Sequence, residues 1–157
     1  MKTMSKKSFV LLGCLIAIFA APLFAQNYDE IELTRSVIQT ERKAIIAQSM
    51  AFSKEESEVF WPVYKKYQAG MSKIGDRMVK LIINYAKNYE NLSDKMAEEL
   101  LDDFLKIEKE KLNLKSKYVK EFRKILSPQK VTRFFQVENK LDAIISFDLA
   151  QEFPLVQ

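Results

Sequence analysis

Side chains suited to chemistry are few in this chain, and most of them are carboxylates and amines. The 157 residues include no histidine and one cysteine, Cys14, which sits in an apolar run near the N-terminus. Those two residue types supply nearly every nucleophile–base pair and the nitrogen and sulfur ligands of zinc sites. With only three glycines, there is also no glycine-rich loop to cradle a phosphate. The densest acidic group is Glu98, Glu99, Asp102 and Asp103. Four carboxylates at this spacing fall on adjacent faces of a helix and could offer oxygens to a hard divalent cation. The alternative is a first-turn acid cluster favoured by the positive end of a helix dipole. The second reading is preferred, because di-metal bundles also use Glu-x-x-His. No catalytic residue, metal or cofactor is expected, and the chain reads as non-enzymatic.

Two further patterns concern surfaces. Lys106, Lys109, Lys111, Lys115, Lys117, Lys120, Arg123 and Lys124 form a basic run interleaved with Glu108, Glu110 and Glu121, the pattern of a solvated helix face. An acidic lipid or a negatively charged unfolded chain is the functional alternative. Met71 and Met78, beside Tyr67 and Tyr85, have the spacing of a core stripe. Thioethers also fill irregular contacts, so the same two methionines are candidates for a partner-binding stripe.

Charge locates the protein. There are 25 Lys+Arg against 21 Asp+Glu, a formal net charge of +4. Residues 1–25 hold Lys2, Lys6 and Lys7 and no acid, leaving 22 bases and 21 acids in the other 132 residues. The basic excess therefore belongs to the leader, and nucleic acid is not an expected partner. MKTMSKK followed by the apolar run Phe9–Phe24 reads as a secretory signal peptide, too short for a membrane span of about 20 residues. Cleavage is expected after Ala25, giving a soluble periplasmic protein with no stable membrane insertion. Leu11-Leu12-Gly13-Cys14 has the form of a lipoprotein site, but the apolar stretch before it is short and LIAIFAAPLF would head the mature chain. Once Cys14 leaves with the leader, no thiol or disulfide remains.

The elements that position these residues are helices. Only Gly70, Gly75, Pro62, Pro128 and Pro154 punctuate residues 26–157, too few turn formers for a multi-stranded sheet. Four helices are predicted, over about 29–50, 54–89, 94–126 and 128–149. In the second, Val59, Val63, Tyr67, Met71, Ile74, Met78, Leu81 and Tyr85 step by threes and fours. Pro62 predicts a kink or short break near Phe60-Trp61, and Gly70 and Gly75 mark its softest part. The third helix repeats Ala97, Leu100, Phe104, Ile107, Leu114, Tyr118 and Ile125. The fourth starts at Ser127-Pro128, an N-cap followed by proline at the first helical position, and shows Val131, Phe134, Phe135, Val137, Leu141, Ile144 and Ile145. The link at Asn91-Leu92-Ser93, which also matches a glycosylation sequon, forces an antiparallel hairpin. The outer helices are too short to cover both long ones, so an elongated all-α homodimer is expected.

Three helix starts share a form: Phe52-Ser53-Lys54-Glu55-Glu56, Leu92-Ser93-Asp94-Lys95-Met96 and Leu126-Ser127-Pro128-Gln129-Lys130. Each places an apolar residue before a hydroxyl N-cap. They resemble degenerate copies of the L-T-x-x-Q motif of the Spy/CpxP family of exported four-helix proteins. Serine replaces threonine in every copy, and the glutamine position is held by Glu56, Met96 and, shifted, Gln129. Phe60-Trp61-Pro62-Val63-Tyr64 and Arg133–Ala143 are also similar to segments of small exported bacterial proteins without an assigned activity. The Spy-type resemblance implies an ATP-independent chaperone of the envelope that shields unfolded proteins. Metal-sensing relatives use mostly histidine, which this chain lacks. The competing expectation is a signalling adaptor that binds the sensor domain of one envelope regulator.

Overall fold

The computed structural model describes residues 40–152, with side chains described through Phe147. The leader, the expected cleavage point after Ala25 and the first part of the first predicted helix lie outside the described residues. By its contacts the chain divides into two compact units, Met1–Ile45 and Ile46–Gln157. Of the first, residues 40–45 are described, and they are helical. The second unit carries everything discussed below.

The described residues are helical apart from short turns, and no strand occurs among them. We label the helices α1 (40–50), α2 (Lys54–Asn88), α3 (Asp94–Phe122) and α4 (Pro128–Glu152), with a 3-10 turn, Tyr89–Asn91, between α2 and α3. The fold is all-α, as the scarcity of glycine and proline predicts. α1 ends at Ala51, whose φ of 45° puts a non-glycine residue in the left-handed region, a common way to terminate a helix.

α2 is a continuous helix of 35 residues with Pro62 inside it, so of the expected kink or short break, the break does not occur. Proline removes one N–H from the helix ladder, but the side chains around it hold the turn. Phe60 and Tyr64 are both buried, and the Trp61 indole N–H donates to Ser57 Oγ at 2.9 Å. The cost of the missing bond is met by tertiary packing on either side. α3 stops at Phe122 and not at Leu126. Lys124 and Ile125 donate to carbonyls three residues back, at 3.2 and 3.1 Å. This tightening swings Leu126 into the core and delivers Ser127 as the cap of α4.

Side-chain pairs fix the topology. Along α2 and α3, Tyr67 meets Phe122, Gly70 faces Leu114 and Arg77 pairs with Glu110. Numbers rise on one helix as they fall on the other, which is the antiparallel hairpin expected from the short link. α4 runs back alongside. Lys130 pairs with Glu56, Tyr67 hydroxyl donates to Glu138 at 3.2 Å, and Lys115 reaches Asp142 at 2.8 Å. α4 is thus parallel to α2 and antiparallel to α3.

The core is aromatic and lies at the end of the hairpin where α4 begins. Phe60 stacks on Phe122 with centroids 5.3 Å apart and meets Phe134 edge-on at 5.3 Å. Phe122 and Phe134 approach to 4.7 Å. Ile46 and Met50 of α1, Leu126 and Val131 complete the cluster. Edge-to-face and offset ring pairs each add about 0.5–1.5 kcal/mol beyond area burial, so this end is densely cross-braced. Within α2 no residue after Tyr67 is wholly buried, and within α3 none before Ile107. The hairpin therefore has a packed half and an open half.

Candidate binding surface

The three turn motifs hold their local structure in the same way. Ser53, Ser93 and Ser127 accept from the backbone N–H of Glu56, Met96 and Lys130 at 3.2, 3.3 and 3.3 Å. These bonds satisfy N–H groups that a helix start leaves without partners. Ser53 also donates its N–H to Glu56 at 2.9 Å, completing a capping box. The structure brings two of the motifs together. Glu56 of the first pairs with Lys130 of the third, and the Lys130 ammonium stands 5.8 Å from the centre of the Phe52 ring. The Lys130 hydrogen bond, and then the Ser53 N–H, hold the Glu56 carboxyl below its usual range. Phe52 packs on Phe60 at 4.4 Å, and Leu126 is buried while Gln129 is exposed. Leu92 and Ser93 sit at the opposite end of the hairpin.

Beside the joined motifs is a shallow open groove of about 560 Å³, lined by Phe52, Ser53, Ser57, Glu58, Trp61 and Pro62 among others. The Trp61 indole, which donates to Ser57, is part of its lining. No hydroxyl here is paired with a histidine or cysteine base, because the described residues contain neither.

The acidic group does not assemble. Glu98, Glu99, Asp102 and Asp103 are all exposed, and Glu99 lies 3.7 Å from Lys95 one turn away. Among the described residues, no group of three or more histidine, cysteine, aspartate or glutamate side chains is placed to hold a metal ion. The basic run divides. Lys111 and Lys115 turn inward to Asp142, at 3.4 and 2.8 Å, and Lys115 also donates to Asn139 at 3.0 Å. Lys124 bonds Glu121 at 2.7 Å, which lowers the Glu121 carboxyl pKa. Lys106, Lys109, Lys117, Lys120 and Arg123 remain on the exposed surface.

The two candidate methionines part company. Met71 packs against the aromatic core. Met78 is half-buried farther along α2, in the open half of the hairpin. There Ile74, Leu81, Ile82 and Tyr85 of α2 and Leu100 of α3 are likewise half-buried, and Phe104 is exposed. Together they form an apolar ribbon.

Two features have no counterpart in the sequence reading. Glu138 is wholly buried and accepts from the Tyr67 hydroxyl, and an acid between Val137 and Leu141 was its only signal. The second is a row of exposed leucines, Leu101, Leu105 and Leu112. Their spacing of four and seven is itself helical, but the stronger row through Leu100, Phe104 and Ile107 masks it.

No helix among the described residues is long and apolar enough to cross a membrane. The chain matches no family model, no curated protein and no solved structure.

Proposed function

We propose that this chain is an exported, non-enzymatic binding protein that shields apolar segments of unfolded envelope proteins in the periplasm, without ATP or a cofactor. The observation that carries the reading is the apolar ribbon on the open half of the hairpin. Ile74, Met78, Leu81, Leu100 and Phe104 keep part of their surface in water, and covering such surface is worth about 25 cal/mol per Å². An extended client segment laid along the ribbon gains this term without a defined partner sequence. Met78 adapts to irregular side chains. Lys73, Lys80 and Lys87 are exposed on α2 along one side of the ribbon, and their charge raises the encounter rate with acidic client segments. The braced aromatic end supplies the rigidity against which the open half is held. The secretory character of the leader supports the location, and the helix-capping motifs support kinship with Spy-type chaperones.

Light scattering of a chemically unfolded, aggregation-prone client tests the proposal. A few-fold excess of the purified protein should slow aggregation, and an unchanged rate would overturn it. The groove at Trp61 and Pro62 favours a second reading, an adaptor for one envelope regulator, since the indole bonded to Ser57 offers a partner a fixed contact beside Pro62. Cross-linking in intact cells separates the two: many cross-linked proteins support the first reading, one regulator the second.

A further inference from the structure

We infer that the side of the hairpin turned away from α4 is a lysine face that docks, without insertion, on a membrane surface of anionic phospholipid. The face borders the client ribbon, and its assignment is independent of the chaperone reading.

The basic run of α3 supplies only half of this face. At about 100° per residue, Lys106, Lys109, Lys117 and Lys120 fall within an arc of about 80° on α3. Lys111 and Lys115 lie roughly opposite and turn to Asp142 of α4. On α2, Lys66, Lys73, Arg77 and Lys80 share an arc of about 60°, with Asp76 outside it. Two contacts put both arcs on one side of the hairpin. Arg77 pairs with Glu110, the neighbour of Lys109 in sequence. The Glu121 carboxyl is lowered chiefly by its bond to Lys124, and further by the charges of Lys117 on α3 and Lys66 on α2.

The seven lysines, Lys66, Lys73 and Lys80 with the four on α3, are all exposed. Among the described residues none of them makes an ion pair. The two acids between the rows, Glu110 and Glu121, are already matched by Arg77 and Lys124. Seven positive charges therefore stand uncancelled on a strip of about 20 Å by 10 Å, set by the helix rise and the spacing of packed helices. Asp102 and Asp103 close the strip toward the hairpin tip.

Residue type selects the occupant. Lysine carries a compact charge on a flexible stem and lacks the arginine fork that fixes one phosphate geometry. A layer of mobile headgroups needs no such fork. No aromatic side chain falls within either arc, so the face has no platform on which a nucleic-acid base could stack. The groove at Trp61 is lined by residues of the first turns of α2 and lies off the face. Each lysine held near an anionic membrane raises the partition constant about fivefold, and salt screens that gain. A contact made by charge alone is peripheral and reversible.

Vesicle co-sedimentation of protein purified after export tests the inference. Vesicles of equal parts phosphatidylglycerol and phosphatidylcholine are compared with phosphatidylcholine alone. The protein should pellet with the first at about 50 mM NaCl, stay in solution with the second, and be released at about 500 mM NaCl. Lys109→Glu/Lys117→Glu on α3 and Lys66→Glu/Lys73→Glu on α2 should each weaken binding by about 25-fold or more. Arg133→Glu/Lys140→Glu makes the same charge change at exposed positions of α4 and should weaken binding less than about fivefold. Circular dichroism confirms the helix content of each variant. Absence of binding to phosphatidylglycerol, or equal binding to both vesicles, overturns the proposal. So does an α2 variant that binds like the native protein, or an α4 variant that loses as much as the other two. Binding to sodium polyphosphate in solution, with the vesicles left bare, would assign the face to a soluble polyanion and overturn it as well.

Discussion

Gly70 on α2 faces Leu114 of α3, and its substitution has an outcome that depends on this one side chain across the interface. A Cβ at Gly70 would lie 2.8 Å from Leu114 Cδ2 and 3.2 Å from Cδ1. Alanine should gain about 1 kcal/mol of helix propensity over glycine. Against that, the Leu114 side chain must move off its preferred geometry, which costs about 0.5–1.5 kcal/mol. The Leu114 methyls are the far end of a half-buried side chain, so the shift is feasible. Gly70→Ala should therefore change stability by less than about 0.5 kcal/mol. In a Leu114→Ala background the obstacle is gone, and the same substitution should stabilise by about 1 kcal/mol. The four proteins form a double-mutant cycle, measured by urea unfolding followed by circular dichroism. A coupling of about 1 kcal/mol is expected. Equal effects of Gly70→Ala in both backgrounds would refute the close approach, and with it the register of the hairpin.

Phe60→Ala empties the centre of the aromatic cluster and should cost about 3–5 kcal/mol in the same unfolding assay. Ala51→Gly relieves the left-handed backbone at φ 45° and should raise stability by about 0.5–1 kcal/mol, seen as a higher urea midpoint. The Glu56 carboxyl is held low by Lys130 and by the Ser53 N–H. A depressed carboxyl pKa stabilises the fold above the value of the unfolded chain, about 4.3. That contribution is lost as pH falls through the lower folded value. Glu56→Gln should remove this part of the acid destabilisation, giving a shallower fall of the urea midpoint from pH 5 to pH 3.

Much of the fold is legible in the residues. Serine hydroxyls at 53, 93 and 127 announce three helix starts, because a cap needs only the side chain and the next turn. The antiparallel hairpin follows from the short link at Asn91–Ser93. The ends were harder. α3 stops at Phe122 because tertiary burial of Leu126 outweighs four more residues of helix, and a periodic pattern does not encode that balance. Pro62 allows a kink or a short break, and the break is absent because Phe60 and Tyr64 hold the helix through it. The candidate surfaces were less legible. Met71 and Met78 share a spacing but not an environment, and only the position of the aromatic cluster separates them. The lysine run looked uniform, whereas Asp142 draws Lys111 and Lys115 inward. The leucine row on α3 was hidden by a more hydrophobic row one residue away.

The central claim is that clients lie on the open half of the hairpin and not on its braced end. A photoreactive phenylalanine analogue at Met78, and another at the exposed Lys65 beside the aromatic core, tests it directly with a chemically unfolded client. Strong cross-linking from position 78 and little from position 65 is expected. Equal yields from both positions, or none from position 78 while aggregation is still suppressed, would contradict it.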